Sequence, residues 1–358
     1  MKEIKVLHIF APGPIAGAEK VVITGLKSLL EAGLNVHCLI IRESKNPSLA
    51  EIFKKELDCY SIPSTTVTTT SALDFNLRKY IKNYIIENKY THIHSHGYKA
   101  LFYSFKNSQV KHIHTHHGDT AHTKKVIIYE WIAKQMMKRI EKVIAVSKQM
   151  KEKLINEGLS TENILYIPNM LSIENIDSNN SVDNKKIELI SIGRLSEEKG
   201  LQDFLPALVE VKDFFNLSIL GDGYLESHLK SLAKELDLEA NISFIGFVKD
   251  VTSHLSKADV LILPSHREGL PMTLLEAVCS GRPILASKVG GVPDLVTHKY
   301  NGYLFEPKDT REMSLALDFI KENLEDLKRN AQEKAKTFNE EYHPRKWAER
   351  TIGLYSNL

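Results

Sequence analysis

Two parallel α/β domains in tandem, each doubly wound, are the fold this sequence predicts. Three observations carry the expectation. Short apolar runs of strand length alternate with amphipathic stretches along the whole chain, the pattern of a parallel sheet with crossover helices. A polar stretch near the midpoint divides that alternation into two similar sets. With 358 residues, the chain is long enough for two cores.

In the first set, strands are expected at Ile4–Phe10, Asn35–Ile41, His92–His96, His112–His116, Val143–Val146 and Ile164–Ile167, each a β-branched or apolar run of four to seven residues. Helical periodicity falls between them at Ala18–Ala32, Asn76–Asn88 and Lys124–Glu141. From Glu174 to Lys186 the composition turns polar, through Asp177-Ser178-Asn179-Asn180-Ser181, and reads as a linker. The second set of strands is Ile187–Ile192, Phe214–Leu220, Ile242–Phe247, Val260–Pro264, Pro283–Ala286 and Gly302–Phe305. Its helices are Gly200–Val211, Tyr224–Leu236, Thr273–Ser280 and Thr310–Phe338. The tail from Pro344 reads as a last helix with Trp347, Ile352, Leu354 and Tyr355 available for packing. The expected boundaries are therefore 1–173, 174–343 and 344–358, with the two sheets facing across a deep cleft. In such sheets ligands bind beyond the carboxyl ends of the strands.

Composition narrows the class. Hydrophobic residues make up 42% and charged residues 26%, as in an ordinary soluble protein. No apolar run approaches 18 residues, and the first ten read as a strand rather than a signal peptide. Cys38, Cys59 and Cys279 are few, scattered and odd in number, which points to free thiols in a reducing cytoplasm. The net charge of +2 conceals an asymmetry. Residues 1–173 hold 24 Lys and Arg against 15 Asp and Glu, and the remainder 23 against 30. A basic first half suggests an anionic partner, either a membrane surface or a phosphate-bearing acceptor. No nucleic acid is expected.

The most informative segment is Arg267-Glu268-Gly269-Leu270-Pro271-Met272-Thr273-Leu274-Leu275-Glu276, which follows the apolar strand ending at Pro264-Ser265. It predicts one carboxylate in a strand-to-helix loop, Glu268, and a second two turns into the helix, Glu276. The free N–H groups of Met272 and Thr273 form a helix N-terminus suited to phosphate. Carboxylates beside a phosphate cradle suit a ligand with both hydroxyls and phosphates, as in a nucleotide-sugar. Gly193-Arg194-Leu195 and Lys199-Gly200, in the loop after the first strand of the second set, add a planar fork and a mobile point charge for a diphosphate. Gly17, in Pro12-Gly13-Pro14-Ile15-Ala16-Gly17-Ala18-Glu19, lets backbone approach a ligand at the start of a helix, without the dinucleotide G-x-G-x-x-G spacing. Gly221, in Leu220-Gly221-Asp222-Gly223, lies in a tight turn that reads first as structural punctuation and second as a nucleotide neighbour.

Histidines crowd the first half. His92, His94 and His96 alternate along one strand and His112, His114 and His116 along another. The spacing of structural zinc sites is missing, so packing of half-buried rings on neighbouring strands is expected in preference to a metal site. His117 sits at a strand end before Gly118-Asp119-Thr120 and is a candidate catalytic or substrate-contacting residue. Residues Lys124–Ile140 read as a helix with a broad apolar face and a basic flank. That helix could lie on an anionic membrane, but burial against the first sheet is the favoured reading.

Together these motifs resemble the retaining glycosyltransferases of the GT-B fold, two Rossmann-like domains across a cleft, and specifically the "group 1" family. That family includes bacterial lipopolysaccharide, capsule and phosphatidylinositol mannosyltransferases. The resemblance spans nearly the whole chain and is strongest at Gly246-Phe247-Val248, Ala258-Asp259-Val260, Glu268 with Glu276, Gly281-Arg282-Pro283-Ile284, Gly290-Gly291-Val292-Pro293-Asp294 and Asn301-Gly302-Tyr303-Leu304-Phe305. It implies that Arg194 and Lys199 hold the donor diphosphate, Glu276 binds the ribose hydroxyls and Glu268 contacts the transferred sugar. Gly17 would approach the phosphates, His117 would lie beside the sugar, and Gly246 to Val248 would line the nucleobase. The resemblance also implies that the last helix returns to the first, acceptor-side domain, the second being the donor domain. It implies no metal and no cofactor beyond the nucleotide-diphosphate sugar, because no D-x-D pair is present. Three positions depart from the family's habit: Ala16 before Gly17, Met170 after Asn169, and Pro271, which has no N–H to offer.

The expected activity is transfer of a sugar from a nucleotide-diphosphate sugar to a glycan or lipid-linked acceptor hydroxyl with retention, in surface polysaccharide or glycolipid assembly. The expected location is the cytoplasm or the inner face of the membrane. Alternatives on the same architecture are a sugar-nucleotide epimerase, a phosphorylase and a non-catalytic nucleotide-sugar-binding protein. A non-catalytic protein would be expected to have lost some of Arg194, Lys199, Glu268 and Glu276, and all four are present.

Overall fold

The computed structural model describes residues 3–15, 17–71, 74–105, 110–118, 124–171, 186–248 and 250–358. Ala16, Asp119 and Thr120, and all but the last residue of the polar stretch 174–186, lie outside the described residues. The chain forms two compact units. One comprises Met1–Ser172 together with Tyr342–Leu358, and the other Ile173–Glu341.

The first unit is built on a seven-stranded sheet: β1 (Lys5–Phe10), β2 (Asn35–Glu43), β3 (Ser64–Thr69), β4 (His92–His96), β5 (Lys111–His116), β6 (Lys142–Ala145) and β7 (Ile164–Tyr166). The spatial order is β3-β2-β1-β4-β5-β6-β7 and all pairs are parallel. Strand order therefore reverses between β1 and β4, so Phe10 and His96 end side by side at the switch point. The helix Gly17–Glu31 and the terminal helix Pro344–Ser356 pack on one another. There the Trp347 ring fills the space beside Gly25, where an added Cβ would lie 2.8 Å from it.

The second unit carries β8 (Ile187–Ile192), β9 (Phe215–Leu220), β10 (Ile242–Gly246), β11 (Val260–Leu263), β12 (Ile284–Ser287) and β13 (Gly302–Phe305). Their order is β10-β9-β8-β11-β12-β13, again all parallel. The reversal here lies between β8 and β11, the strands whose following loops hold Arg194 and Glu268. A core of Leu189, Leu217, Ile219, Val260, Ile262, Phe204 and Leu317 fills one face.

Several expectations are corrected. Ser64–Thr69 is an edge strand where no element was expected; only Val67 and Thr69 on it are buried, so no apolar run announces it. Helices at Pro47–Cys59, Gly97–Ser104 and Lys148–Asn156 were not expected. The helix expected at Gly200–Val211 stops being α-helical after Phe204 and continues as a 3-10 helix, Leu205–Val211. Pro206 has no N–H for the carbonyl four residues back. The long helix Thr310–Glu341 kinks at Asn323 (φ −122°, ψ 16°), whose side-chain amide donates to the Phe319 carbonyl at 2.9 Å. The helix Lys124–Met137 buries Ala133 and Met137 but leaves Ile127, Ile128 and Trp131 more than half exposed, contrary to the favoured reading of a buried crossover. No described helix is long and apolar enough to cross a membrane.

Candidate active site

In the second unit the loops after β8 and β11 are locked together by backbone. The His266 N–H donates to the Glu198 carbonyl (2.8 Å), the His266 ring meets the Asp203 carboxylate (2.6 Å), and Arg267 pairs with Glu198 (3.3 Å). A Cβ on Gly200 would stand 2.0 Å from the Pro264 carbonyl oxygen, and one on Gly290 would stand 2.1 Å from that of Glu268. Both glycines have positive φ, so these contacts demand a residue without a side chain. The Gly291 N–H closes the arrangement on the Gly269 carbonyl at 2.6 Å.

That framework brings Lys199 and Glu268 together. The Lys199 ammonium donates to Glu268 Oε1 at 2.7 Å, and the Ser265 hydroxyl donates to the same oxygen at 2.6 Å. The Glu268 side chain is 9% exposed. Arg194 stands at the mouth of the same loop, exposed and without an ion pair among the described residues. The loop of Gly221 rests on the Arg194 loop: Leu195 N–H donates to the Asp222 carbonyl at 2.7 Å, and Gly221 N–H to the Gly246 carbonyl at 2.8 Å. Gly221 thus joins the two loops, and Gly246 starts the segment that ends at Val248, with the Phe247 ring exposed.

The helix after Glu268 runs Met272–Cys279 with Pro271 as its cap. Glu276 is its fifth residue, just over one turn in and not two as the sequence suggested. Leu275 is the first residue of the helix whose N–H reaches back, to the Pro271 carbonyl at 3.3 Å; the N–H groups of Met272 and Thr273 precede it and have no helical acceptor. Two contributors escaped the sequence reading: Ser265, and the His266–Asp203 pair that holds the loop. Ser265 ends an apolar strand three residues before Glu268, and that proximity was the available signal.

In the first unit, Gly17 opens the helix Gly17–Glu31, and the Glu19 carboxylate takes the Gly13 N–H at 2.8 Å. The histidine trios do not stack across neighbouring strands as expected. Parallel register sets Ser95 opposite His114 and His96 opposite Thr115, so the trios lie on opposite faces of the sheet. They are buried, at most 9% exposed, not half-buried. On one face His112 and His114 share the Ser95 hydroxyl (2.9 and 3.0 Å). On the other, His8 of β1 joins His94 and His96, and His117 stacks on His96 with ring centroids 5.5 Å apart. Burial alone drives His8 and His112 down to about 3. Burial, helped by His116, lowers His117 to about 4, and burial with neighbouring rings holds His94, His96 and His114 well below the usual range. All are neutral at pH 7. Ring nitrogens of His8, His94 and His96 lie within 4.8 Å of one another, close enough to hold a metal ion, but those atoms are engaged in hydrogen bonds with one another, Tyr355 and Thr115. A cavity of about 10 Å³, room for about one water, is lined by His8, His96, Thr115, His117 and Trp347.

Residues 15–175 match the model described as Glycosyltransferase Family 4, and residues 172–338 match Glycosyl transferases group 1, so the two run end to end over most of the chain. An uncharacterized glycosyltransferase of Haemophilus influenzae is 34% identical over 218 residues, 60% of this chain and 61% of that protein. The lipopolysaccharide 1,6-galactosyltransferase of Escherichia coli is 31% identical over 180 residues, 46% of this chain and 48% of its own. The chain thus spans about half to three-fifths of the length of these relatives. Among solved structures, Anabaena HepE in complex with UDP superposes with a TM-score of 0.85 at 20% identity, covering 99% of this chain and 100% of that one. The apo lipopolysaccharide outer core galactosyltransferase WaaB gives 0.78 at 19%, covering 99% and 100%. These likenesses show the fold, GT-B.

Proposed function

The chain belongs to the group 1 glycosyltransferases, and from that premise we propose that it transfers a sugar from a nucleoside-diphosphate sugar to an acceptor hydroxyl with retention of configuration. The observation that supports it most is the Lys199–Glu268–Ser265 constellation at the switch point of the second sheet, beside helix N–H groups with no helical acceptor. Lys199, Arg194 and the N–H groups of Met272 and Thr273 stabilise the departing diphosphate, the main electrostatic contribution in such chemistry. Glu276 holds the ribose hydroxyls and Glu268 a hydroxyl of the transferred sugar. Gly17 and His117 serve from the first unit, Gly17 beside the phosphates and His117 beside the sugar. Gly221 and Val248 flank the nucleotide. The acceptor oxygen attacks the face the leaving group departs from, and the donor phosphate takes its proton.

Titration of the protein with UDP, GDP and ADP by calorimetry, repeated on Arg194→Ala and Glu276→Ala, tests the donor site. One nucleotide bound, and bound at least tenfold more weakly by both variants, supports it. Binding of none removes it. Consumption of donor only when acceptor is added separates transfer from epimerisation.

The acceptor is proposed to be lipid-linked, in surface polysaccharide assembly at the cytoplasmic face of a membrane. The name of the Escherichia coli relative supports this, as do the basic first half and the exposed Ile127, Ile128 and Trp131 beside exposed Lys138 and Arg139. Vesicle binding that ignores anionic lipid, salt and Trp131→Glu would refute the membrane contact.

A further inference from the structure

A continuous hydrogen-bond chain runs through the interior of the first unit. His117 Nε2 meets His96 Nδ1 (3.3 Å), His96 Nε2 meets His8 Nδ1 (3.1 Å), and His8 Nε2 meets the Tyr355 hydroxyl (3.3 Å). The same hydroxyl meets His94 Nδ1 (2.6 Å), and His94 Nε2 meets the Thr115 hydroxyl (2.7 Å). Every neutral ring has one N–H and one lone pair, so with the buried Tyr355 hydroxyl donating into the chain only two assignments make every contact: all protons pointing inward from His117, or all pointing outward.

Two observations choose between them. His117 Nδ1 is buried and has no partner among the described residues. With protons inward it is a bare lone pair; with protons outward it is an orphaned N–H, the costlier of the two. The contact of 2.6 Å at His94 is short for N–H donation and suits an O–H donor, so Tyr355 donates to His94 and accepts from His8, which is again the inward assignment.

We propose that this chain, anchored by Thr115 and Tyr355, holds His117 in the Nε2–H tautomer, so that Nδ1 accepts a hydrogen bond from a hydroxyl of the bound sugar. Tyr355 is then a positioning residue acting through His8 and His96, and Thr115 one acting through His94 and Tyr355 as well, so the terminal helix contributes to the chemistry of a strand end it does not adjoin in sequence. The identity of the ligand rests on the proposed function; the tautomer does not.

Nitrogen-15 NMR of the full chain labelled at histidine tests it, with His117 assigned by signal loss in His117→Gln. In the unliganded protein His117 should show a protonated Nε2 and a bare Nδ1, in at least about tenfold excess over the other tautomer. Tyr355→Phe leaves the inward assignment with an orphaned N–H on His8, and Thr115→Val leaves one on His94. Each should bring the two His117 tautomers to comparable populations, and either variant suffices if the other does not fold. A protonated Nδ1 in the wild type, or a tautomer indifferent to both changes, overturns the proposal. So does a stoichiometric metal in the purified protein, which would consume the lone pairs the chain requires. Adding the nucleotide-sugar should then shift Nδ1 alone. If it does not while the tautomer responds as stated, the assignment of the ligand fails and the chain stands.

Discussion

Lys199 and Glu268, 69 residues apart in sequence, are joined at 2.7 Å in the space where the loops after β8 and β11 converge. Each charge is therefore satisfied before any ligand arrives, and a diphosphate must compete with Glu268 for the ammonium. Two substitutions at this pair should act in different ways. Lys199→Ala should weaken nucleotide binding and lower kcat by about 10²–10³. Glu268→Gln should lower kcat while leaving nucleotide affinity unchanged or higher, because Lys199 is released from its partner. Calorimetry and initial rates on the same preparations distinguish them; equal loss of affinity in both variants would remove the competition.

The Glu268 loop is held by close backbone approach as well as by its side chains. Gly290→Ala drives a Cβ into the Glu268 carbonyl at 2.1 Å and places alanine at positive φ. It should cost about 3 kcal/mol or more of stability and reduce kcat beyond what the loss of folded protein explains. Urea unfolding beside activity per folded molecule is the measurement, and a variant of normal kcat would show that the loop tolerates displacement.

Acid should unfold the first unit early. The folded values of His8, His112 and His117, at about 3, 3 and 4, lie below the ordinary value, so protons favour the unfolded chain. Stability is complete above about pH 6.5 and falls as pH drops toward 4, by up to about 1.4 kcal/mol per pH unit for each such histidine. Both tryptophans, Trp131 and Trp347, belong to this unit and report on it by fluorescence. A urea midpoint that stays level between pH 7 and 5 would contradict the burial of neutral rings. His112→Asn should flatten the slope.

The terminal helix is a structural member of the first unit. Trp347 is 8% exposed and lies against Gly25 and the helix Gly17–Glu31. Trp347→Ala should cost about 3–5 kcal/mol. Thermal unfolding of the variant checks this, and a shift no larger than that of a surface substitution would refute it.

Much of the fold was legible because most of its strands are apolar or alternating runs. Ile187–Ile192, His92–His96 and Gly302–Phe305 have their expected limits. Edge and surface elements were not: Ser64–Thr69 buries two of its six side chains, and Pro47–Cys59 opens on a proline that reads equally as a turn. The candidate site was legible as a list of residue types, since Arg194, Lys199, Glu268 and Glu276 stand out beside strand ends. The Lys199–Glu268 contact was not, because nothing in a linear pattern states which side chains share an oxygen.

By itself the sequence determined the class of fold and the chemistry available: alternation sets which segments become strands, and composition sets which charges sit in their loops. Only the tertiary structure decided that the two histidine trios face opposite sides of one sheet, that His8 and Tyr355 complete one of them, and that Lys199 rests on Glu268. Those outcomes depend on strand register and on close backbone approach between distant loops. Register is set by how two faces of a sheet are covered at once, a property of all the packed elements together and of no single segment.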